Sequence, residues 1–154
     1  MQLTGFTDIS LRVLMRVAVL DEGESTTAGA LADQLNVSRA HVAKVVTTLG
    51  GLGVLDTWRG RYGGLRLADG ARSISIGLLV RRLEGGPGDT TGHGKEVVEC
   101  EGANPCPLRT GCRLRVALRD AQEAFYAALD PLTVADVTTG PARSVLLSIG
   151  RTVA

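Results

Sequence analysis

Apolar residues in the first part of the chain recur at helical spacing. Leu11, Leu14, Met15, Ala18 and Val19 share one face and predict a helix running to about Leu20, with Asp8 as its N-cap. The acidic run Asp21-Glu22-Gly23-Glu24 ends that pattern. Leu31, Ala32 and Leu35 predict a second helix over Ala28–Leu35, capped by Thr26 or Thr27. Asn36-Val37 reads as a tight turn. Ser38 then stands where an N-cap belongs, before a third helix from Arg39 to about Leu49. Val42, Val45, Val46 and Leu49 form the inner stripe of this third helix, and Arg39, His41, Lys44, Thr47 and Thr48 fill its outer face.

The rhythm then changes. Residues 53–58 predict a strand, 59–64 (Arg-Gly-Arg-Tyr-Gly-Gly) a turn, and 65–67 a returning strand. Two short helices joined by a tight turn, the second with a polar outer face, form a helix-turn-helix, and the glycine-rich basic hairpin supplies a wing. A plain helical bundle with a solvated polar face is the alternative, and local charge argues against it. Between Asn36 and Leu67 stand Arg39, Lys44, Arg59, Arg61 and Arg66 against Asp56 alone. Phosphate neutralisation needs such a concentration of cations. Ser38, Arg39 and His41 open the third helix and are the candidates for reading base edges in the major groove; Lys44 is assigned to phosphate. Arg59 and Arg61 are placed in the minor groove or on the backbone.

Further along, 74–83 predicts a helix, and Leu114, Leu118, Ala121, Phe125 and Ala128 recur at spacings of four, three, four and three. That heptad-like seam suits either a helix packed on its own core or a dimerisation helix; a DNA-reading domain favours the second, because symmetric operators need two copies. The expected fold class is mainly α with a small β-wing: a winged helix-turn-helix over 1–84, a cysteine-bearing loop over 85–112, a dimerisation helix region over 113–138 and a C-terminal tail over 139–154.

Composition narrows the function. The chain has 154 residues, a net charge of +1 and 21% charged residues, which suits a folded domain rather than a disordered or histone-like chain. Aromatic residues make up only 3%, too few for a base-stacking platform that binds single-stranded RNA. No signal peptide and no membrane-length apolar run is evident, so a cytoplasmic protein without a membrane partner is expected. No Cys-x-x-Cys pair and no nucleophile–base constellation is present, so no catalytic residue is assigned and no enzyme is expected.

The three cysteines, Cys100, Cys106 and Cys112, are separated by five residues each. An odd number cannot pair fully in disulfides. Structural zinc sites use closer pairs; a zinc reading would need His93 or a carboxylate as fourth ligand. Three thiolates in a Pro-punctuated loop suit an iron–sulfur cluster, with Pro105 and Pro107 stiffening the chain beside Cys106. Arg109, Arg113 and Arg115 lie nearby and can offset thiolate charge. His93 otherwise reads as a solvated loop histidine. One position of the metal site is left without a cysteine.

Together the segments Leu3-Thr4-Gly5-Phe6-Thr7-Asp8, 38–55, Arg59-Gly60-Arg61-Tyr62-Gly63-Gly64-Leu65, Ile74-Ser75-Ile76-Gly77 and the cysteine array make the chain resemble the winged-helix iron–sulfur transcriptional repressors, to about Val137. IscR-like members of that family place a histidine three residues after the third cysteine, where this chain has Arg115. NsrR-like, nitric-oxide-sensing members carry an aspartate near the N-terminus, which Asp8 matches, and residues 118–132 look like their actinobacterial forms. The resemblance implies a homodimeric repressor of a palindromic double-stranded operator, responsive to nitric oxide. It implies a [4Fe–4S] cluster held by Cys100, Cys106 and Cys112 with Asp8 from the partner subunit. A [2Fe–2S] sensor of redox or iron status is the alternative. Arg12 and Glu84 are expected to hydrogen-bond at the Asp8 junction.

Overall fold

The computed structural model describes residues 2–85 and 96–151. His93 and the Gly- and Thr-rich stretch around it lie outside the described residues. Seven helices and one small sheet are described: α1 (Gly5–Ala18), α2 (Ala28–Leu35), α3 (Arg39–Gly51), β1 (Leu55–Trp58), β2 (Gly64–Leu67), a 3-10 turn (Ala71–Ser73), α4 (Ile76–Gly85), α5 (Arg113–Leu129), α6 (Val134–Val137) and α7 (Gly140–Arg151). The fold is therefore mainly helical with a two-stranded antiparallel wing, as expected. The chain divides into two compact units. One comprises Leu3–Ile74 with the segment from Leu132; the other comprises Ser75–Pro131.

In the first unit, α1, α2 and α3 bury one stripe each. Val13, Leu14, Leu31, Val42, Val45 and Leu49 are all 0% exposed, so the sequence stripes meet in one core. The caps define the helix starts. Ser38 Oγ accepts the His41 N–H at 3.2 Å, which opens α3. Asn36, in the left-handed region at φ 53°, closes α2, and its N–H reaches the carbonyl of Ala32. Together they make the turn between α2 and α3.

Two expectations are corrected at the ends of α1. Asp8 is not its cap: Thr4 is, with its hydroxyl accepting the Thr7 N–H at 3.2 Å, and Asp8 lies inside the first turn. A threonine with extended backbone satisfies the orphan N–H groups one turn earlier than the aspartate would. The helix also stops at Ala18, with Val19 and Leu20 turning away and Val19 fully buried. The choice between Thr26 and Thr27 is resolved by the sheet. Thr27 caps α2, while Thr26 pairs with Leu65 as a single bridge beside the wing.

The wing strand starts at Leu55 rather than at Gly53, because Gly53, at φ 70°, and Val54 close the end of α3. Leu55 then pairs with Leu67 and Trp58 with Gly64. A clasp at the tip was not anticipated. The Trp58 indole N–H donates to the Tyr62 carbonyl at 2.8 Å. Its ring lies over Gly64, where any Cβ would stand 2.8 Å from a ring carbon. A side chain at Gly64 would displace the indole and open the hairpin.

In the second unit, α4 buries Ile76, Leu79, Val80 and Leu83 and packs on α5. Gly77 lets the helices approach closely, since a Cβ there would stand 2.7 Å from the Tyr126 carbonyl oxygen. Arg81 holds this contact: it donates to both Asp130 oxygens at 2.5 and 3.0 Å and to Glu123 at 2.6 Å, and lies 5.0 Å over the Tyr126 ring. Within α5 only Gln122 and Tyr126 are buried. The apolar seam read from the sequence is instead left largely uncovered, with Leu114 65% exposed and Ala121 and Ala128 exposed. The reading of that seam as a helix packed on its own core is not supported; the buried stripe runs through different residues.

Candidate functional site

Two groups of residues bear on function, one in each unit. The first is the outer surface of α3 and the wing. Ser38, Arg39, His41 and Lys44 project from the first turns of α3 and all are exposed. Arg39 donates to both oxygens of Asp33 on α2, at 3.1 and 3.3 Å. With side chains 74% and 48% exposed, that pair is worth about 0–1 kcal/mol and can be exchanged for a phosphate contact. Lys44 rests its ammonium 5.5 Å from the centre of the Phe6 ring on α1.

On the wing, Arg66 is already paired with Asp56 across the strands at 3.3 Å. The single acid of that stretch therefore lies opposite Arg66 and not opposite Arg59 or Arg61. Arg59 and Arg61, by contrast, have no ion-pair or hydrogen-bond partner among the described residues and are exposed at the tip. Tyr62, 85% exposed, stands beside them. It carried no signal beyond its place in a glycine-rich turn. Between α3 and the wing runs a concavity lined by Val46, Thr47, Gly50, Trp58, Arg59 and Gly64.

The second group is the segment from Glu96 to Arg115. Cys100, Cys106 and Cys112 are all free thiols, and Cys100 is buried at 7% exposure. The chain folds back on itself between them: the Cys106 N–H donates to the Cys100 carbonyl at 3.1 Å, and the Arg109 N–H to the Cys106 carbonyl at 3.2 Å. Cys112 is the N-cap of α5, and its Sγ accepts the Arg115 N–H at 3.4 Å. Burial pushes the Cys100 thiol up, opposed by the Arg115 guanidinium; the neighbouring Cys106 and Cys112 push in the same direction as burial.

Among the described residues no three His, Cys, Asp or Glu side chains stand close enough together to hold a metal ion. The donor chemistry nonetheless suits a soft, thiolate-bound centre. The three sulfurs are unpaired. One is shielded from water, one sits at a helix N-terminus that favours negative charge, and hydrogen bonds already turn the chain between the first and second.

Asp8 lies in the other unit. Its carboxylate is bound by Arg12, one turn along α1, at 2.7 Å, and is half exposed. Arg12 thus bonds Asp8 within α1. Glu84 lies in the last turn of α4. Arg115, at the position where a histidine was considered, is an ion-pair centre that sequence reasoning assigned only to charge offset. It donates twice to Glu96, at 3.1 and 3.2 Å, and once to Glu101, at 3.1 Å. No helix is long and apolar enough to cross a membrane among the described residues.

Comparison with known proteins adds the lineage. The chain is 54% identical over 150 residues to the HTH-type transcriptional repressor NsrR of Streptomyces coelicolor, covering 97% of this chain and 96% of that protein. It is 43% identical over 139 residues to the HTH-type transcriptional regulator NsrR of Geobacillus kaustophilus, covering 89% of each. Among solved structures it is similar in fold to CymR of Staphylococcus aureus, with a TM-score of 0.61 at 23% identity over 89% of this chain and 98% of that one. The fold is also similar to IscR of T. potens, with a TM-score of 0.60 at 16% identity over 89% and 85%. A family model for Rrf2, iron-dependent transcriptional regulators, matches residues 3–140. With its winged helix-turn-helix and a match spanning nearly its whole length, the chain belongs to the Rrf2 family of transcriptional regulators.

Proposed function

We propose that this protein is a DNA-binding transcriptional repressor whose operator binding is controlled by a [4Fe–4S] cluster that reacts with nitric oxide. The observation that carries the reading is the joint presence, in a chain of this family, of an exposed basic wing and three free thiols on a hydrogen-bonded loop. Similarity to two proteins named NsrR supports the choice of signal. The protein works in the cytoplasm and catalyses no reaction.

Cys100, Cys106 and Cys112 would hold the cluster, with Asp8 from a second copy as the remaining ligand. When bound, the cluster supplies iron that reacts with nitric oxide. The chain's own residues convert that event into a change of DNA affinity. Arg12 orients the Asp8 carboxylate from one turn away. Asp8 lies in the first turn of α1, the helix that packs on α3, so a ligand bond at Asp8 would tie the recognition helix to the other subunit's cysteine loop, and its loss would free that helix. Two recognition helices must match the spacing of two half-sites, so a small rotation lowers affinity.

In this reading Ser38, Arg39 and His41 meet base edges in a palindromic operator, Lys44 meets phosphate, and Arg59 and Arg61 enter the minor groove or touch the backbone. The uncovered α5 face with Leu114, Leu118, Ala121, Phe125 and Ala128 supplies the surface for the second copy.

Anaerobic purification followed by absorption spectroscopy and iron and sulfide analysis tests the cofactor; operator binding with and without nitric oxide tests the switch. The expected protein is coloured, carries iron and sulfide in [4Fe–4S] proportion, and releases operator DNA on nitric oxide. A colourless protein with one zinc per chain would overturn the reading, as would operator affinity indifferent to nitric oxide. Asp8→Ala with unchanged spectrum, response and affinity would remove Asp8 from it.

A further inference from the structure

The ion pairs around the cysteine loop centre on one side chain. Arg115 uses all three guanidinium nitrogens: Nε and one terminal nitrogen grip the two oxygens of Glu96, and the other terminal nitrogen binds Glu101. Glu101 is also approached by Arg109 at 3.8 Å. Glu96 and Glu101 stand on either side of Cys100 in the chain, so the guanidinium fastens both flanks of the buried cysteine. The backbone of the same residue serves the other end of the loop, because the Arg115 N–H donates to Cys112 Sγ at 3.4 Å. Arg115 therefore touches the surroundings of the first cysteine with its side chain and the third cysteine with its main chain.

Its environment differs from that of the neighbouring arginine. The Arg115 side chain is 27% exposed against 64% for Arg119, whose ion-pair partner is the adjacent Asp120. A planar fork that binds one carboxylate twice and a second carboxylate once is a task for arginine; a lysine ammonium has no such fork. A guanidinium is also always protonated and offers no lone pair, so Arg115 takes no part as a ligand.

We propose that Arg115 is a positioning residue that staples the cysteine loop to the first turn of α5 and holds Cys100 and Cys112 ready to receive the cluster. The inference rests on reading the cysteines as cluster ligands. The loop has no helix or strand between Glu96 and Cys112, so its ordering cost falls on a few hydrogen bonds. Meeting that cost before the cluster arrives strengthens cluster retention, as preorganisation does for any ligand. Losing the staple lets the Cys100 segment open to water.

The test uses the full-length, cluster-free protein. Alkylation of each cysteine by iodoacetamide is followed by mass spectrometry. In the wild type Cys100 reacts slowest. In Arg115→Ala it reacts about tenfold faster, as expected of a segment released to local opening. The double variant Glu96→Gln with Glu101→Gln, which keeps the arginine, behaves in the same way. Arg115→Lys recovers only part of the protection, and Arg119→Ala matches the wild type. After reconstitution with iron and sulfide, Arg115→Ala loses its visible absorption to a chelator several-fold faster than the wild type.

Circular dichroism checks the fold; if Arg115→Ala does not fold, the double glutamine variant decides. Cys100 reactivity within about twofold of wild type in the folded variants, a margin too small for a lost ordering contact, overturns the proposal. A wild type that takes up neither iron nor sulfide overturns the functional reading instead, and leaves the alkylation comparison readable.

Discussion

Helices α3 and α5 each carry an apolar stripe, and they use it differently. In α3 the stripe of Val42, Val45 and Leu49 is fully buried against α1 and α2. In α5 the residues buried are Gln122 and Tyr126, while Leu114 and Val116 face solvent at 65% and 48%. Charged groups hold α5 in their place: Arg81 binds Asp130 and Glu123, and Arg115 binds Glu96 and Glu101. The winged unit is stabilised by its own apolar core. In the cysteine-bearing unit ion pairs join the buried apolar face of α4 in holding α5, and much of the α5 seam stays exposed.

Four measurements break or sharpen that contrast. The largest effect is expected at Leu49→Ala, which leaves a cavity in the α1–α3 core and should cost roughly 2–5 kcal/mol in urea denaturation. If Leu118→Ala on α5 costs as much, the contrast fails. Next comes acid. Asp130 is held below the usual carboxylate range chiefly by its hydrogen bonds to Arg81, and Asp136 by its bonds to the Thr133 hydroxyl and N–H. A depressed carboxylate stabilises the fold above its ordinary pKa and loses that contribution as the pH falls through the depressed value. Stability should therefore fall as the pH drops below the ordinary carboxylate range. Asp130→Asn should flatten that fall, and an unchanged profile would show that the ion pair contributes nothing.

The third effect concerns assembly. Leu114→Glu combined with Ala121→Glu should leave helix content unchanged by circular dichroism while shifting sedimentation from dimer to monomer. A loss of helix content would mean that the seam supports the chain's own fold. The smallest effect separates two arginines of the wing. Arg61→Ala should weaken operator binding and reduce the salt slope by about one. Arg66→Ala should do less, because Arg66 is already paired with Asp56. Equal losses from operator and random DNA would assign Arg61 to phosphate alone.

Much of the winged unit was legible because its signals are local. Ser38 as cap, Asn36-Val37 as tight turn and the stripe from Val42 to Leu49 each act within a turn or two of helix. Asp8 misled for a related reason. Threonine and aspartate are both good caps, and the backbone at Thr4, extended at ψ 152°, decided between them. The wing's clasp was out of reach, since Trp58 and Tyr62 gave no pattern and their bond depends on the hairpin already being closed. Arg66 and Arg39 entered the charge count as free cations, and only the folded chain shows Asp56 and Asp33 standing opposite them.

The same division holds for the cysteine segment. Spacing along the chain established three thiols too far apart for common zinc pairs, and it established the helix that follows them. Tertiary structure decided which of those thiols is buried, which one caps α5, and that Arg115 gathers Glu96 and Glu101 around them. Caps and periodic stripes arise between residues a few positions apart, so composition and spacing reveal them. Which carboxylate meets which guanidinium, and which apolar face stays uncovered, depends on segments far apart in sequence being folded together, and no local pattern carries that information.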